Sequence, residues 1–163
     1  MPDSVLRVYV DANVLLAYGG NEEGRADTVQ SILEDARKSR IDLLTSVLSI
    51  TEVAYVQTDS DEDISSESDV AIDELWVPAS PITLVDVSET VARKARGVIR
   101  RAKQLSVRGV RSADAIHLAS ADLHGCDRFF TYEDETTKQR WGTLIEPSVA
   151  APSTDAPQLD LGG

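Results

Sequence analysis

Asp11, Glu52, Asp114 and the adjacent Glu133 and Asp134 each stand where an apolar run ends or a helix begins, far apart along the chain. Carboxylates brought together repel one another unless a proton or a divalent cation holds them. If the fold gathers these positions, the chemistry they suit is metal binding. Asp11 follows Val8-Tyr9-Val10 and can be read as the cap of the helix after it or as a ligand. The apolar strand before it and Asn13 after it favour the ligand. Glu52 alone is an ordinary helix residue, but Ile50, Val53 and Ala54 surround it with apolar side chains. Asp114 sits in a first helical turn, where the dipole alone stabilises a carboxylate by about 0.3–1 kcal/mol. Its neighbours Ala113 and Ala115 nevertheless favour a site role. For Glu133 and Asp134 a solvated turn and a site are nearly balanced readings.

Asn13 either bonds Asp11 or a ligand-bound water, or turns the chain into its helix. Ser46 and Thr131 divide between capping and orienting carboxylates. His117 and His124 lie on a mostly apolar helix and read as packing or capping groups. Arg93, Lys94, Arg96, Arg100, Arg101, Lys103, Arg108 and Arg111 make up half of the 16 basic residues. Such a run is by default the wet face of a helix, but Arg108 and Arg111 lie just upstream of Asp114 and are placed to hold phosphates of a nucleic acid near the proposed site.

The elements that must position these residues follow from periodicity. A strand ends at Val10, and an amphipathic helix spans Glu22 to Arg40. A second strand covers Asp42 to Thr45, then a helix capped by Ser46 or Ser49 carries Glu52. The acidic stretch from Asp59 to Ser68 reads as a solvated loop before a helix at Asp69 to Trp76. Ile82 to Val87 is the clearest strand. Ser88 opens the longest helix, Glu89 to Gln104, with Val91, Ala95, Val98, Ile99 and Ala102 on one side. Ser112 is the expected cap of a helix from Ala113 to His124, with apolar Ala115, Ile116, Leu118, Ala119 and Leu123, closed by Gly125. Arg128 to Thr131 is a fourth strand, a short helix runs to Trp141, and Thr143 to Ile145 is a weak fifth strand. Helices between strands imply right-handed crossovers and a parallel sheet covered on both faces. In such sheets ligands gather beyond the carboxyl ends of the strands, where the acids lie. The expected architecture is a three-layer α/β/α fold with a central parallel sheet of four to five strands. Residues 1–146 form its one domain and 147–163 a flexible tail with too little apolar matter to order itself.

A length of 163 residues suits one core. The formal net charge of -12, from 16 basic and 28 acidic groups, argues against a polyanionic partner only if the charges are mixed evenly. They are not: the bases cluster between 93 and 111 and the acids between 59 and 74, which gives two faces of opposite sign. Acidic excess also fits a salty cytoplasm. Cys126 is the only cysteine, so neither an intrachain disulfide nor a cysteine-based metal cluster is available. Without a leader-like N-terminus or a long apolar run, the expected location is the cytoplasm, with no membrane partner.

Val-Tyr-Val-Asp11-Ala-Asn13, Ser-Ile-Thr-Glu52-Val, Ser-Ala-Asp114-Ala-Ile-His-Leu-Ala-Ser-Ala and Phe-Phe-Thr131-Tyr-Glu133-Asp134 together resemble the PIN-domain ribonucleases, and within them the VapC-like toxins. The likeness spans roughly positions 7 to 146. It implies an endoribonuclease dependent on Mg²⁺ or Mn²⁺, held by Asp11, Glu52 and Asp114, leaving a 5′-phosphate and a 3′-hydroxyl. It also implies a small antitoxin partner and a homodimer. The family usually has Asp two residues after the strand-ending Thr or Ser. Here Glu133 holds that place with Asp134 beside it, and either acid can be the fourth. A degenerate module that binds RNA or protein without cutting is the alternative. A phosphoacceptor receiver domain fails, because it needs paired acids after the first strand and a Lys after the last.

Overall fold

A computed structural model describes residues 5–59 and 66–154. The strands are β1 (Leu6–Val10), β2 (Ile41–Ser46), β3 (Ile82–Val85), β4 (Arg128–Phe130) and β5 (Ser148–Ala150). They form one parallel sheet in the order β3-β2-β1-β4-β5. The helices are α1 (Ala12–Gly19), α2 (Arg25–Arg37), α3 (Leu48–Asp59), α4 (Ser66–Trp76), α5 (Glu89–Gln104), α6 (Ser112–Leu123) and α7 (Glu135–Gly142). The expected α/β/α layering holds.

Central β1 explains the layers. Alternate side chains of a strand face opposite ways, and here Val8 and Val10 join one core with Val14, Leu15, Ile32, Leu33, Val53 and Ile72 from α1 to α4. Tyr9 joins the other with Ala95, Val98, Leu118, Phe129 and Trp141, from α5, α6, β4 and α7. Helix α5 buries Val91, Ala95, Val98 and Ala102, one stripe at helical spacing, and leaves its cations in solvent. Ile99 and Leu123, expected on buried faces, are 40% and 43% exposed.

The chain leaves β1 toward β2 and β3, then returns through α5 and α6 to pair β4 on the other side of β1. The order reverses at β1, and its crevice beyond the strand ends lies between β1 and β4.

Several elements depart from the sequence reading. The fifth strand is Ser148–Ala150, not Thr143 to Ile145, because its backbone pairs with Arg128–Phe130 at the sheet edge. Ordered chain therefore continues past position 147, and the rest of the expected tail, 155–163, lies outside the described residues. Helix α4 begins at Ser66, three residues before the expected start at Asp69, and 60–65 of the expected acidic loop lie outside the described residues. Helix α6 takes Arg111, not Ser112, as its N-cap residue, with the Arg111 amide donating to Asp114 Oδ2 at 3.0 Å. Gly125, at φ +64, follows the last turn as expected, in a conformation costly for a side chain. Among the described residues no helix is long and apolar enough to cross a membrane.

Candidate acidic cleft

Asp11 stands one residue past the end of β1, at the N-cap position of α1, yet its side chain makes no capping hydrogen bond. Its Oδ1 is buried without a partner. A buried, unpaired carboxylate is expensive to ionise, and burial raises the Asp11 pKa to about 7, with Glu133 adding to the rise. The nearby polar groups of Thr131 and Val14 offset this only in part.

Around Asp11 opens a cleft of about 200 Å³ lined by Asp11, Ala12, Asn13, Leu16, Glu52, Asp114, His117 and Glu133. Each acid comes from a different element. Asp11 follows β1, Glu52 sits on the second turn of α3, Asp114 on the first turn of α6, and Glu133 in the turn between β4 and α7. Four positions spread over more than a hundred residues thus meet at the strand-order reversal. Burial raises the pKa of Asp114, partly countered by the Arg111 amide and guanidinium. Glu133 is raised by burial and then by the nearby Asp114 and Asp134, while Arg111 again works the other way. Asp11, Asp114 and Glu133 therefore hold their protons more tightly than free carboxyl groups do. Mutual repulsion of this kind is what a cation relieves.

Asp134 has another task. It is exposed, and its Oδ1 accepts from the Thr137 amide at 2.7 Å as the N-cap of α7. Those bonds lower its pKa, as expected of a cap. Of the adjacent pair, only Glu133 lines the cleft.

Asn13 does not bond Asp11. It clasps the turn that carries Glu133: Asn13 Nδ2 donates to Thr131 Oγ1 at 3.1 Å, and Asn13 Oδ1 accepts from the Tyr132 amide at 3.0 Å. Thr131 Oγ1 in turn accepts from the Glu133 amide at 3.3 Å. Ser46 lies deeper. Its hydroxyl accepts from the Leu48 amide at 3.1 Å at the start of α3, and its own amide donates to Tyr9 Oη at 3.1 Å. Arg111 acts electrostatically on Asp114 and Glu133. Arg108 is exposed in the α5–α6 connection and lines a different hollow with Ile99, Lys103 and Val110.

His117, assigned to packing or capping from sequence, is in the cleft. It lies three residues after Asp114, which on a helix places both on one side. Nδ1 is 2.6 Å from Tyr9 Oη, and Nε2 contacts Glu52 Oε1. The spacing of Asp114 and His117 was the available signal.

Among the described residues no three His, Cys, Asp or Glu side chains are already gathered at metal-ligand distances. The donor set still suits a hard divalent cation. Such ions take carboxylate oxygens and keep several waters, and Asp11, whose Oδ1 is unpartnered, lines a cleft that three further carboxylates share. A larger hollow of about 680 Å³ runs between α5 and the 143–146 segment. Its three cations are engaged, Arg93 with Glu89 at 3.2 Å, Lys94 with Asp122 at 2.9 Å and Arg101 with the Thr143 carbonyl at 3.2 Å.

A parallel sheet whose reversal point opens on a carboxylate-lined cleft defines the class as α/β/α with an acidic site. The chain belongs to the PIN domain family, which matches residues 8–140. Its fold is similar to that of VapBC2 from Rickettsia felis, solved bound to a promoter DNA fragment, at TM-score 0.68 and 12% identity over 90% of this chain and 98% of that one. It is similar also to FitAcB from Neisseria gonorrhoeae, at 0.62 and 16% over 89% and 97%. VapC20 of Mycobacterium tuberculosis, a Sarcin-Ricin loop cleaving toxin, aligns at 0.60 and 13% over 85% and 97%. No curated protein matches the chain.

Proposed function

We propose that this chain is a Mg²⁺- or Mn²⁺-dependent endoribonuclease, acting in the cytoplasm as the toxin of a toxin-antitoxin pair. The observation that carries the reading is one cleft lined by Asp11, Glu52, Asp114 and Glu133, with Asp11 Oδ1 buried and unpartnered. Asp11, Asp114 and Glu133, with the oxygen of Glu52 not engaged by His117, are the residues that would hold the ion. When bound, the cation supplies Lewis-acid polarisation of a phosphoryl group and eases deprotonation of water.

The chain's own residues supply the rest. Arg111 flanks the cleft and balances phosphate charge, while Asn13 and Thr131 keep the Glu133 turn in place. Water attacks phosphorus in line with the 3′-oxygen, the P–O3′ bond breaks, and that oxygen takes a proton. The products are a 5′-phosphate and a 3′-hydroxyl. The toxin assignment is supported by the shared fold, since the similar structures include VapBC and FitAB complexes. A small antitoxin and a second copy of the chain are the partners proposed with it.

The test is digestion of a mixed RNA pool by purified protein with Mn²⁺, with end mapping. Cuts bearing 5′-phosphates that disappear in Asp11→Asn support the reading. RNA binding with no Mn²⁺-dependent cuts in any condition overturns it in favour of a non-cutting module.

A further inference from the structure

We propose that Tyr9 and His117 are positioning residues that fix the Glu52 carboxylate in the cleft, through a hydrogen-bond chain from the Ser46 amide to Tyr9 Oη, to His117 Nδ1, and from His117 Nε2 to Glu52 Oε1. The inference rests on reading the cleft as a metal site and adds to it the groups that orient one of its ligands.

Tyr9 is 0% and His117 3% exposed, so water does not compete for these contacts. The Tyr9 ring stacks on Phe129 at 5.2 Å between centroids and meets the His117 ring edge-on at 5.8 Å. Phe129 is held in turn by Trp141 at 6.1 Å. An ionised Glu52 carboxylate only accepts, so Nε2 donates to it, and Tyr9 Oη, which accepts from the Ser46 amide, has its own proton to give to His117 Nδ1. In a neutral imidazole only the tautomer protonated at Nε2 then satisfies both contacts. That tautomer presents an N–H to Glu52 and cannot offer a lone pair to a cation. His117 is thus a donor to a ligand and not itself a ligand.

The layering explains why Glu52 needs this. Asp11 is anchored by the strand it follows, and Asp114 by the Arg111 amide. Glu52 sits on α3, which packs with α1 and β2 on the opposite side of the sheet from α6. His117 reaches across the carboxyl end of the sheet from the other helical layer. One Glu52 oxygen is thereby committed, and the other is left for the cleft. Groups one step behind a metal ligand typically change metal affinity 10–100-fold when removed.

The experiment uses the full chain and two readouts. Imidazole ¹⁵N spectra of the metal-free protein carrying His124→Gln, in which His117 is the only ring, are expected to show Nε2 protonated and Nδ1 bare, and to lose that pattern in Tyr9→Phe. A ring protonated at Nδ1 overturns the chain. Mn²⁺ titration is expected to show affinity roughly 10–100-fold weaker in Tyr9→Phe and His117→Leu, with most of it restored in His117→Gln, whose amide N–H can still reach Glu52. Adding Tyr9→Phe to Glu52→Gln should change nothing further. If wild type and Tyr9→Phe bind Mn²⁺ equally, the positioning role is wrong while the metal site stands. If wild type binds none, the metal reading fails, and the spectra decide the hydrogen-bond chain by themselves. Should Tyr9→Phe not fold, His117→Leu against His117→Gln carries the same comparison.

Discussion

Glu133 and Asp134 are neighbours in the chain and have different partners: Glu133 lines the acidic cleft, whereas Asp134 turns away to accept from the Thr137 amide at 2.7 Å. Asp134→Ala should therefore lower the unfolding temperature through the lost cap of α7 and leave Mn²⁺-dependent RNA cleavage near the wild-type rate. Glu133→Gln should do the reverse. Cleavage assays and melting curves on the two variants check this, and a slow Asp134→Ala with a normal Glu133→Gln would exchange the assignments.

The clasp between Asn13 and the 131–133 turn predicts a mixed effect. Asn13→Ala removes the bonds to Thr131 and the Tyr132 amide, and leaving part-buried polar groups unpaired costs about 1–3 kcal/mol. Urea unfolding should register that loss. Cleavage should fall as well, since the Glu133 backbone loses its support. Unchanged activity with reduced stability would make Asn13 purely a fold residue.

Asp11 sets a pH dependence of stability. Its pKa is raised to about 7 by burial, so below that pH the native state holds a proton that the unfolded chain sheds near the ordinary carboxyl value. The unfolded state then binds fewer protons, and the stability of metal-free protein falls as pH rises toward 7, by at most about 1.4 kcal/mol per unit. Above 7 this contribution levels off. Asp11→Asn should flatten most of the slope between pH 4 and 7 and be more stable than wild type at pH 8. Asp114 and Glu133, raised in the same direction, keep a smaller slope. Urea midpoints in EDTA across this range measure it, and parallel curves for the two proteins would contradict it.

Arg111 and Arg108 should separate in their response to salt. Arg111 acts on Asp114 and Glu133, whereas Arg108 lines another hollow. Arg111→Ala is expected to weaken RNA binding and reduce the slope of log K against log salt by about 0.7, the value for one contact to a single strand. Arg108→Ala should change it less. Equal slopes for both variants would return Arg111 to the solvated face of the molecule.

Much of this arrangement is legible in the sequence because local pattern and topology agree. Val8-Tyr9-Val10 and Ile82 to Val85 announce strands, the helical stripe of α5 is unambiguous, and right-handed crossovers bring the residues after β1 and β4 to one edge. Asp11, Glu52, Asp114 and Glu133 meet there. Three features escape for physical reasons. Strand β5 is three residues long and owes its conformation to hydrogen bonds with β4, a nonlocal cause with no local pattern. The N-cap of α6 at Arg111 depends on the Asp114 carboxylate reaching back to the backbone, which competes with the ordinary capping preference of Ser112. His117 reads from sequence as a packing or capping group because its helix is apolar. Its spacing from Asp114, and that of Tyr9 from Asp11 on the same side of a strand, carry the information instead.

The central claim is that the cleft binds a divalent cation through Asp11 and its neighbours, and thermal unfolding of wild type, Asp11→Asn and Asp114→Asn with and without Mn²⁺ tests it most directly. An ion that binds only the native state raises stability by mass action. The account predicts a Mn²⁺-dependent rise in the unfolding temperature of wild type that is lost in both variants. An equal rise in all three proteins, or none in wild type, would contradict it.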